Sequence, residues 1–221
     1  MMSLSEPRLS RASVGRLSLY LRCIEELERH GATKVSSSQL GEALGVSDAQ
    51  VRRDIGALGN LGHPGVGYPA RELTEAIRHV LGIDRRWGCI LVGVGNLARA
   101  LLRYRGFSQQ GFRVVALFDA DPAKVGQRIE ELEVQSPDRL AGVIAATRAE
   151  LGMLTVPAES AQRVADQVVA AGIKGILNFA PTVLRVPSGI SLVSVDLTVQ
   201  LEQLAFQVQL SRTEGTESDT R

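Results

Sequence analysis

The chain is poor in the side chains that most often carry metal and redox chemistry. Its 221 residues hold three histidines, two cysteines, one tryptophan and only 4% aromatics. No Cys/His cluster has the spacing of a zinc site, so no metal is expected. A disulfide framework is excluded as well: Cys23 sits in a helical apolar pattern and Cys89 in a strand-like one, which points to reduced, buried thiols in a cytoplasmic protein. Charge of one sign is also missing. Lys and Arg number 25 against 24 Asp and Glu, so any polyanion would have to be met by a local basic patch. No apolar run approaches the ~20 residues of a membrane span, so no membrane partner is expected. The polar start, with Arg8 and Arg11, has no signal-peptide core.

What remains is ordinary globular composition, 44% hydrophobic and 22% charged, in a chain long enough for one large or two small cores. The first third reads as helix. Val14, Leu17, Leu21, Ile24 and Leu27 recur at three- and four-residue steps, and Gly31 ends the pattern. In "SSSQLGEALGVSDAQVRRDIGAL", Ser36 with Gln39 and Ser47 with Gln50 each fit the Ser-x-x-Gln capping box. Leu40, Ala43 and Leu44 line the first helix, Val51, Ile55 and Leu58 the second, and Gly45 gives the corner of a helix-turn-helix. The second helix turns Ala49, Gln50, Arg52 and Arg53 outward, and Arg and Gln can make paired contacts to base edges in a major groove. The next stretch, "GNLGHPGVGYPA", holds Gly59, Gly62, Gly65 and Gly67 and suits a short β-hairpin, the wing of a winged helix.

From "GCILVGVG" onward strand and helix alternate, which predicts a parallel sheet with helices on its faces. Gly93, Val94, Gly95, Asn96, Leu97 and Ala98 form Gly-x-Gly-x-x-Ala where the first strand meets its helix. Gly93 permits the turn, Gly95 lets a pyrophosphate reach the backbone N–H groups, and Ala98 keeps helix and strand close. The second strand ends in Asp119, about 25 residues on, near the spacing at which an acid accepts ribose hydroxyls. An acid there disfavours a 2′-phosphate, so NAD(H) is expected over NADP(H). Coenzyme A, whose ADP moiety could use the same cradle, is the alternative ligand. A last amphipathic helix, Asp196 to Ser211, follows the completed sheet and needs a surface of its own to cover.

A nicotinamide dehydrogenase needs a proton donor or acceptor beside the reacting carbon. His30, His63 and His79 all lie before the nucleotide fold, and Lys174 and Tyr104 belong to no catalytic constellation. A regulator is therefore favoured over an enzyme. The alternatives are a small NAD-dependent oxidoreductase with a helical dimerisation head and a winged-helix repressor sensing a CoA thioester.

"VGRLSLYLRCIEEL", "VSSSQLGEALGVSDAQVRRDI", "GVGY", "GVGNLARAL", "FDADPAKVG", "LTVP" and "AAGIKGILNFAP", in this order, resemble the Rex family of redox-sensing transcriptional repressors. The resemblance implies a homodimer that binds palindromic operator DNA through winged helices and NAD(H) through a Rossmann domain, and that is released by NADH. It implies a C-terminal helix swapped onto the partner. It implies further cofactor-binding positions at Tyr104, Thr155, Pro157, Asn178, Phe179 and Pro181, with Phe179 and Pro181 walling the nicotinamide. DNA contacts are implied at Ser47, Ala49, Gln50, Arg52 and Arg53, with Arg16 and Arg22 near phosphates and His63 in the wing, where the family usually carries Lys or Arg. Arg22, Tyr104 and Asp196 would form a polar relay between head, nucleotide site and swapped helix. The expected α/β organisation is a flexible basic N-terminus (1–13), a winged-helix domain (14–84, helix-turn-helix about 18–58, wing about 59–69), a Rossmann domain (85–195), the swapped helix (196–211) and a disordered tail (212–221).

Overall fold

The computed structural model describes residues 9–59, 61–62 and 66–218. The chain divides into two compact units between Arg86 and Trp87, two residues beyond the boundary expected from sequence.

The first unit opens with α1 (Arg11–Arg29). Ser10 caps it by accepting from the Ser13 N–H at 3.1 Å, so the helix starts three residues before the apolar periodicity does. Its buried stripe is Leu17, Tyr20, Leu21 and Ile24, while Val14, expected in that stripe, is exposed. Next come β1 (Lys34–Val35), α2 (Ser37–Leu44) and α3 (Asp48–Gly56). Gly45, in the left-handed region at φ 65°, makes the corner between the two helices. Ala43 is exposed, leaving Leu40 to anchor α2 in the core. After β2 (Tyr68–Pro69), α4 (Ala70–Val80) completes the unit by burying Ala70, Leu73 and Ile77 against the same core.

The wing differs from its expected form. β2 pairs antiparallel with β1, Val35 opposite Tyr68 and Lys34 opposite Pro69, so its partner strand comes from before α2 and not from within 59–69. Val35 is fully buried, and that apolar anchor sets the pairing. His63 lies outside the described residues.

The second unit contains a sheet of β3 (Trp87–Val92), β4 (Phe112–Phe118), β5 (Arg128–Ile129), β6 (Leu132–Gln135), β7 (Leu151–Leu154), β8 (Gly175–Asn178) and β9 (Ser191–Ser194). Its order is β5-β6-β4-β3-β7-β8-β9, parallel throughout except for β5 against β6. The helices are α5 (Asn96–Arg103), α6 (Arg105–Gln109), α7 (Leu140–Thr147), α8 (Ala158–Ala170) and α9 (Leu197–Ser218). Alternation along β3 builds both faces at once. Ile90 and Val92 join Phe118, Ile144, Leu154 and Val168 in one core cluster, while Cys89 and Leu91 join Ala98, Leu117, Val134 and Met153 in the other. Fully burying such aliphatic side chains stabilises by roughly 1.5–3 kcal/mol each.

Two elements depart from the sequence reading. The hairpin β5–β6 has no counterpart in the strand and helix alternation read from the sequence, and α7 follows it behind a 3-10 turn at Pro137–Arg139. The C-terminal helix does not end at Ser211 but runs to Ser218, so the expected disordered tail is helical over most of its length. No proline interrupts that stretch, and the single Gly215 weakens a helix without stopping it.

Along α9 the apolar side chains are exposed, Leu201 at 66% and Phe206 at 61% among them. A groove of about 410 Å³, lined by Cys89, Val114, Leu151, Met153, Leu177 and Val193, crosses β3, β4, β7, β8 and β9 on one sheet face. Burial pushes the Cys89 thiol up to about 11 and raises that of Cys23, so both are protonated at neutral pH.

Candidate functional site

Four turns follow the carboxyl ends of neighbouring parallel strands along one edge of the sheet: Gly93 after β3, Asp119 after β4, Thr155 after β7 and Phe179 after β8. The chain leaves β3 for β4 on one side and reaches β7 on the other, which makes this the topological switch point where such sheets bind ligands.

Gly93 has φ 93°, and a Cβ there would lie 2.7 Å from Val156 Cγ1 and 2.8 Å from the Thr155 carbonyl oxygen. Only glycine fits. Thr155 locks the same turn by donating its Oγ1 hydrogen to the Gly93 carbonyl at 2.6 Å. Val94 is buried and Ala98 fully so beneath α5. A Cβ on Gly95, by contrast, would meet nothing within 4 Å. Gly95 is the N-cap of α5, and no side chain caps that end. Gly95, Asn96 and Leu97 are all exposed, so the first N–H groups of α5 face open space beside a helix N-terminus, a ready site for a pyrophosphate. The residues present fit a dinucleotide at this loop.

Asp119 is buried at the end of β4. Its Oδ2 accepts from the Val94 N–H at 2.7 Å and from Lys124 Nζ at 3.0 Å, and its Oδ1 accepts from the Asp121 N–H at 2.9 Å. Burial opposes the charge, but the Asp121 amide, Lys124 and the Val94 amide together hold its carboxyl below the ordinary value. Asp121, missed by sequence reasoning, stands exposed two residues on. Its signal was the doubled acid in "FDADP"; its Oδ1 accepts from the Ala123 N–H at 2.9 Å.

Pro157 is exposed and caps α8. Asn178 is fully buried, and its amide is consumed locally: Nδ2 donates to the Ala180 and Thr182 carbonyls at 3.1 Å each, and Oδ1 accepts from the Ala180 N–H at 3.0 Å. It shapes the loop that carries half-buried Phe179 and exposed Pro181. Tyr104, expected on the helix after the glycine loop, sits at the break between α5 and α6, 55% exposed and edge-on to Phe107 at 5.1 Å. Asp196 caps α9, its Oδ1 accepting from the Thr198 N–H at 2.9 Å. Arg22 belongs to the first unit and is exposed on α1.

On the first unit, the Ser36–Gln39 box is complete in both directions, at 3.1 and 2.8 Å. The second box is only half made. Ser47 Oγ accepts from the Gln50 N–H at 3.2 Å, but the Gln50 side chain turns inward, its Nε2 donating to Asp54 Oδ1 at 3.1 Å. An ionised carboxylate outcompetes a backbone donor for that amide. Ala49, Arg52 and Arg53 are exposed. Arg52 reaches Asp48 at 2.6 Å and Ser37 at 3.3 Å, and Arg53 Nη1 donates to Gln50 Oε1 at 3.2 Å. Arg16, expected beside a phosphate, instead lays its fork on Asp54, with Nε to Oδ2 at 2.6 Å and Nη2 to Oδ1 at 2.8 Å. Asp54 and Tyr20 are the polar residues of this unit that sequence reasoning missed. The signal was an acid at an inward position between Val51 and Ile55.

Among the described residues no group of three or more His, Cys, Asp or Glu is placed to hold a metal, and no helix is long and apolar enough to cross a membrane.

A helix-turn-helix head followed by a switch-point anion cradle defines a nucleotide-binding DNA regulator. Two family models match: "Putative DNA-binding protein N-terminus" over residues 8–55 and "CoA binding domain" over residues 84–182. The chain is 49% identical to the redox-sensing transcriptional repressor Rex of Rhodopirellula baltica, over 91% of this chain and 85% of that one. It is 46% identical to Rex of Carboxydothermus hydrogenoformans, over 91% and 97%. The chain belongs to the Rex family. It also superposes on the Rex-family repressor RSP in complex with β-NAD⁺ and operator DNA, with TM-score 0.87 and 33% identity over 96% of this chain and 99% of that one. RSP in complex with β-NADH matches with TM-score 0.85 and 32% identity, over 95% and 98%.

Proposed function

We propose that this chain is a repressor that reads a palindromic operator as a homodimer in the cytoplasm and leaves it when NADH fills the crevice after β3. The observation that carries this reading is the open, uncapped N-terminus of α5 at Gly95 in a chain that also presents Arg52 and Arg53 on a helix-turn-helix. RSP, solved both with β-NAD⁺ on operator DNA and with β-NADH, supports NAD(H) as the sensed ligand.

Gly95, Asn96 and Leu97 offer N–H groups to the pyrophosphate, and Phe179 and Pro181 wall the nicotinamide. Asp119 holds the glycine loop through Val94, while the ribose hydroxyls fall to Asp121, whose carboxylate is exposed. The coenzyme is a signal here and not a reactant: the nucleotide domain has no histidine to move a proton at a reacting carbon. Exposed apolar side chains on α9 and the uncovered sheet groove are complementary, which supports α9 swapping onto a second copy. Arg22, Tyr104 and Asp196 would then relay the state of the site to the head. NADH can act only through unequal affinity for two dimer geometries, so operator DNA must weaken NADH binding by the same factor.

Arg53→Ala is expected to lower operator affinity by roughly 5- to 150-fold, the loss of one paired base contact, and to leave NADH affinity unchanged. Gel shift and fluorescence titration of the same preparation check both, and loss of both together would contradict the division of labour. The "CoA binding domain" match favours one second reading, a CoA-thioester sensor, and a parallel titration with acyl-CoA tests it.

A further inference from the structure

Asp54 is only 3% exposed, yet four side-chain hydrogen bonds converge on it. Arg16 gives two, from Nε at 2.6 Å and Nη2 at 2.8 Å; Tyr20 OH gives one at 3.0 Å and Gln50 Nε2 one at 3.1 Å. A carboxylate has about four lone-pair sites, so this one is saturated. Arg16 and Tyr20 lie on α1 and Gln50 on α3, so the cluster pins the two helices together. The Arg16 fork, first, and the Tyr20 hydroxyl and Gln50 amide hold the Asp54 carboxyl below its usual range.

The chemistry fixes one orientation. An ionised carboxylate can only accept, so the Gln50 amide must present Nε2 to it and turn Oε1 the other way. That oxygen accepts from Arg53 Nη1 at 3.2 Å. Asp54 thereby decides, through Gln50, how the Arg53 guanidinium is held on the exposed face of α3. It also keeps the Arg16 fork inside the fold.

We infer that Asp54 is a positioning residue for operator reading: it sets the Gln50 amide and hence the Arg53 guanidinium, and it withholds Arg16 from the phosphates. The inference rests on α3 reading DNA, as proposed above. Asp54→Asn keeps the shape but offers an N–H where an acceptor stood. The one oxygen left can serve either the Gln50 side or the Tyr20 side, so in both cases Arg16 loses one arm of its fork, and the charge that fixed the Gln50 amide is gone.

The test measures affinity for a palindromic operator and for a scrambled duplex over a range of salt, in full-length wild type, Asp54→Asn, Tyr20→Phe and Arg16→Lys. Asp54→Asn is expected to lower the operator-to-scrambled ratio roughly tenfold. Its salt slope should steepen by about one unit, as Arg16, no longer paired with a charge, finds a phosphate. Tyr20→Phe removes a stabilising bond but leaves Gln50 and Arg53 in place, so its ratio should match wild type. Arg16→Lys keeps the charge without the fork and should lower the ratio less than Asp54→Asn. If Asp54→Asn does not fold, Arg16→Lys and Tyr20→Phe decide by the same comparison. Equal ratios in wild type and Asp54→Asn, or an equal drop in Tyr20→Phe, would overturn the inference. A wild type that does not discriminate the two duplexes would instead overturn DNA reading by α3.

Discussion

The backbone N–H of Val94 donates to Asp119 Oδ2 at 2.7 Å, tying the centre of the glycine loop to the end of the neighbouring strand. Sequence spacing places this acid at the ribose; its oxygens serve Val94, Asp121 and Lys124, which leaves about one of its four lone-pair sites, on Oδ1, for a further donor. Two substitutions separate the roles. Asp119→Asn is expected to weaken NADH and NADPH together, because the loop loses its clamp, and to leave DNA binding intact but less responsive. Asp121→Ala is expected to shift preference toward NADPH, because Lys124 then meets a 2′-phosphate with less opposing charge. Parallel titrations check both, and an unchanged NADH/NADPH ratio in Asp121→Ala would return the ribose to Asp119.

The two glycines of the loop predict opposite behaviour. Gly95→Ala places a methyl in open space, so melting temperature should stay near wild type while NADH affinity falls, since the methyl stands where the pyrophosphate must approach. Gly93→Ala forces a side chain against Thr155 and Val156 at φ 93° and should cost about 1–3 kcal/mol of stability. Thermal unfolding with and without NADH distinguishes them.

Much of this was legible in the sequence because the signals were local. Ser36 and Gln39 make their box, Gly45 makes its corner, and Gly-x-Gly-x-x-Ala lands at the end of β3, all within a few residues of one another. What the sequence concealed depends on partners far along the chain. Asp54 meets Arg16 from 38 residues away, and that pairing turns the Gln50 side chain inward and undoes the second capping box. β2 finds β1 across the whole helix-turn-helix. Periodicity reports which face is inward, not what a polar residue on that face will touch. The hairpin β5–β6 was missed for a different reason: its strands are two and four residues long, too short to show alternation.

The Asp54 cluster gives the first unit two pH limits. The Asp54 carboxyl is held low, so its stabilisation is fully present above the unfolded value of about 3.9 and is lost as pH falls through the lower folded value. Burial, then the Asp54 hydrogen bond, pushes the Tyr20 hydroxyl up to about 12, so its contribution is fully present below about 10 and is lost as pH rises through the folded value. Denaturant unfolding across pH should show Asp54→Asn with a flatter acid limb and Tyr20→Phe with a flatter alkaline limb. An unchanged alkaline limb in Tyr20→Phe would contradict the assignment.

The central claim is that coenzyme and operator compete through two geometries of one dimer, and reciprocity tests it most directly. NADH affinity is measured by fluorescence titration of the full-length protein, free and saturated with a palindromic operator, and operator affinity is measured with and without saturating NADH. The account predicts that the operator lowers NADH affinity by the same factor by which NADH lowers operator affinity. An NADH affinity unaffected by saturating operator would contradict it.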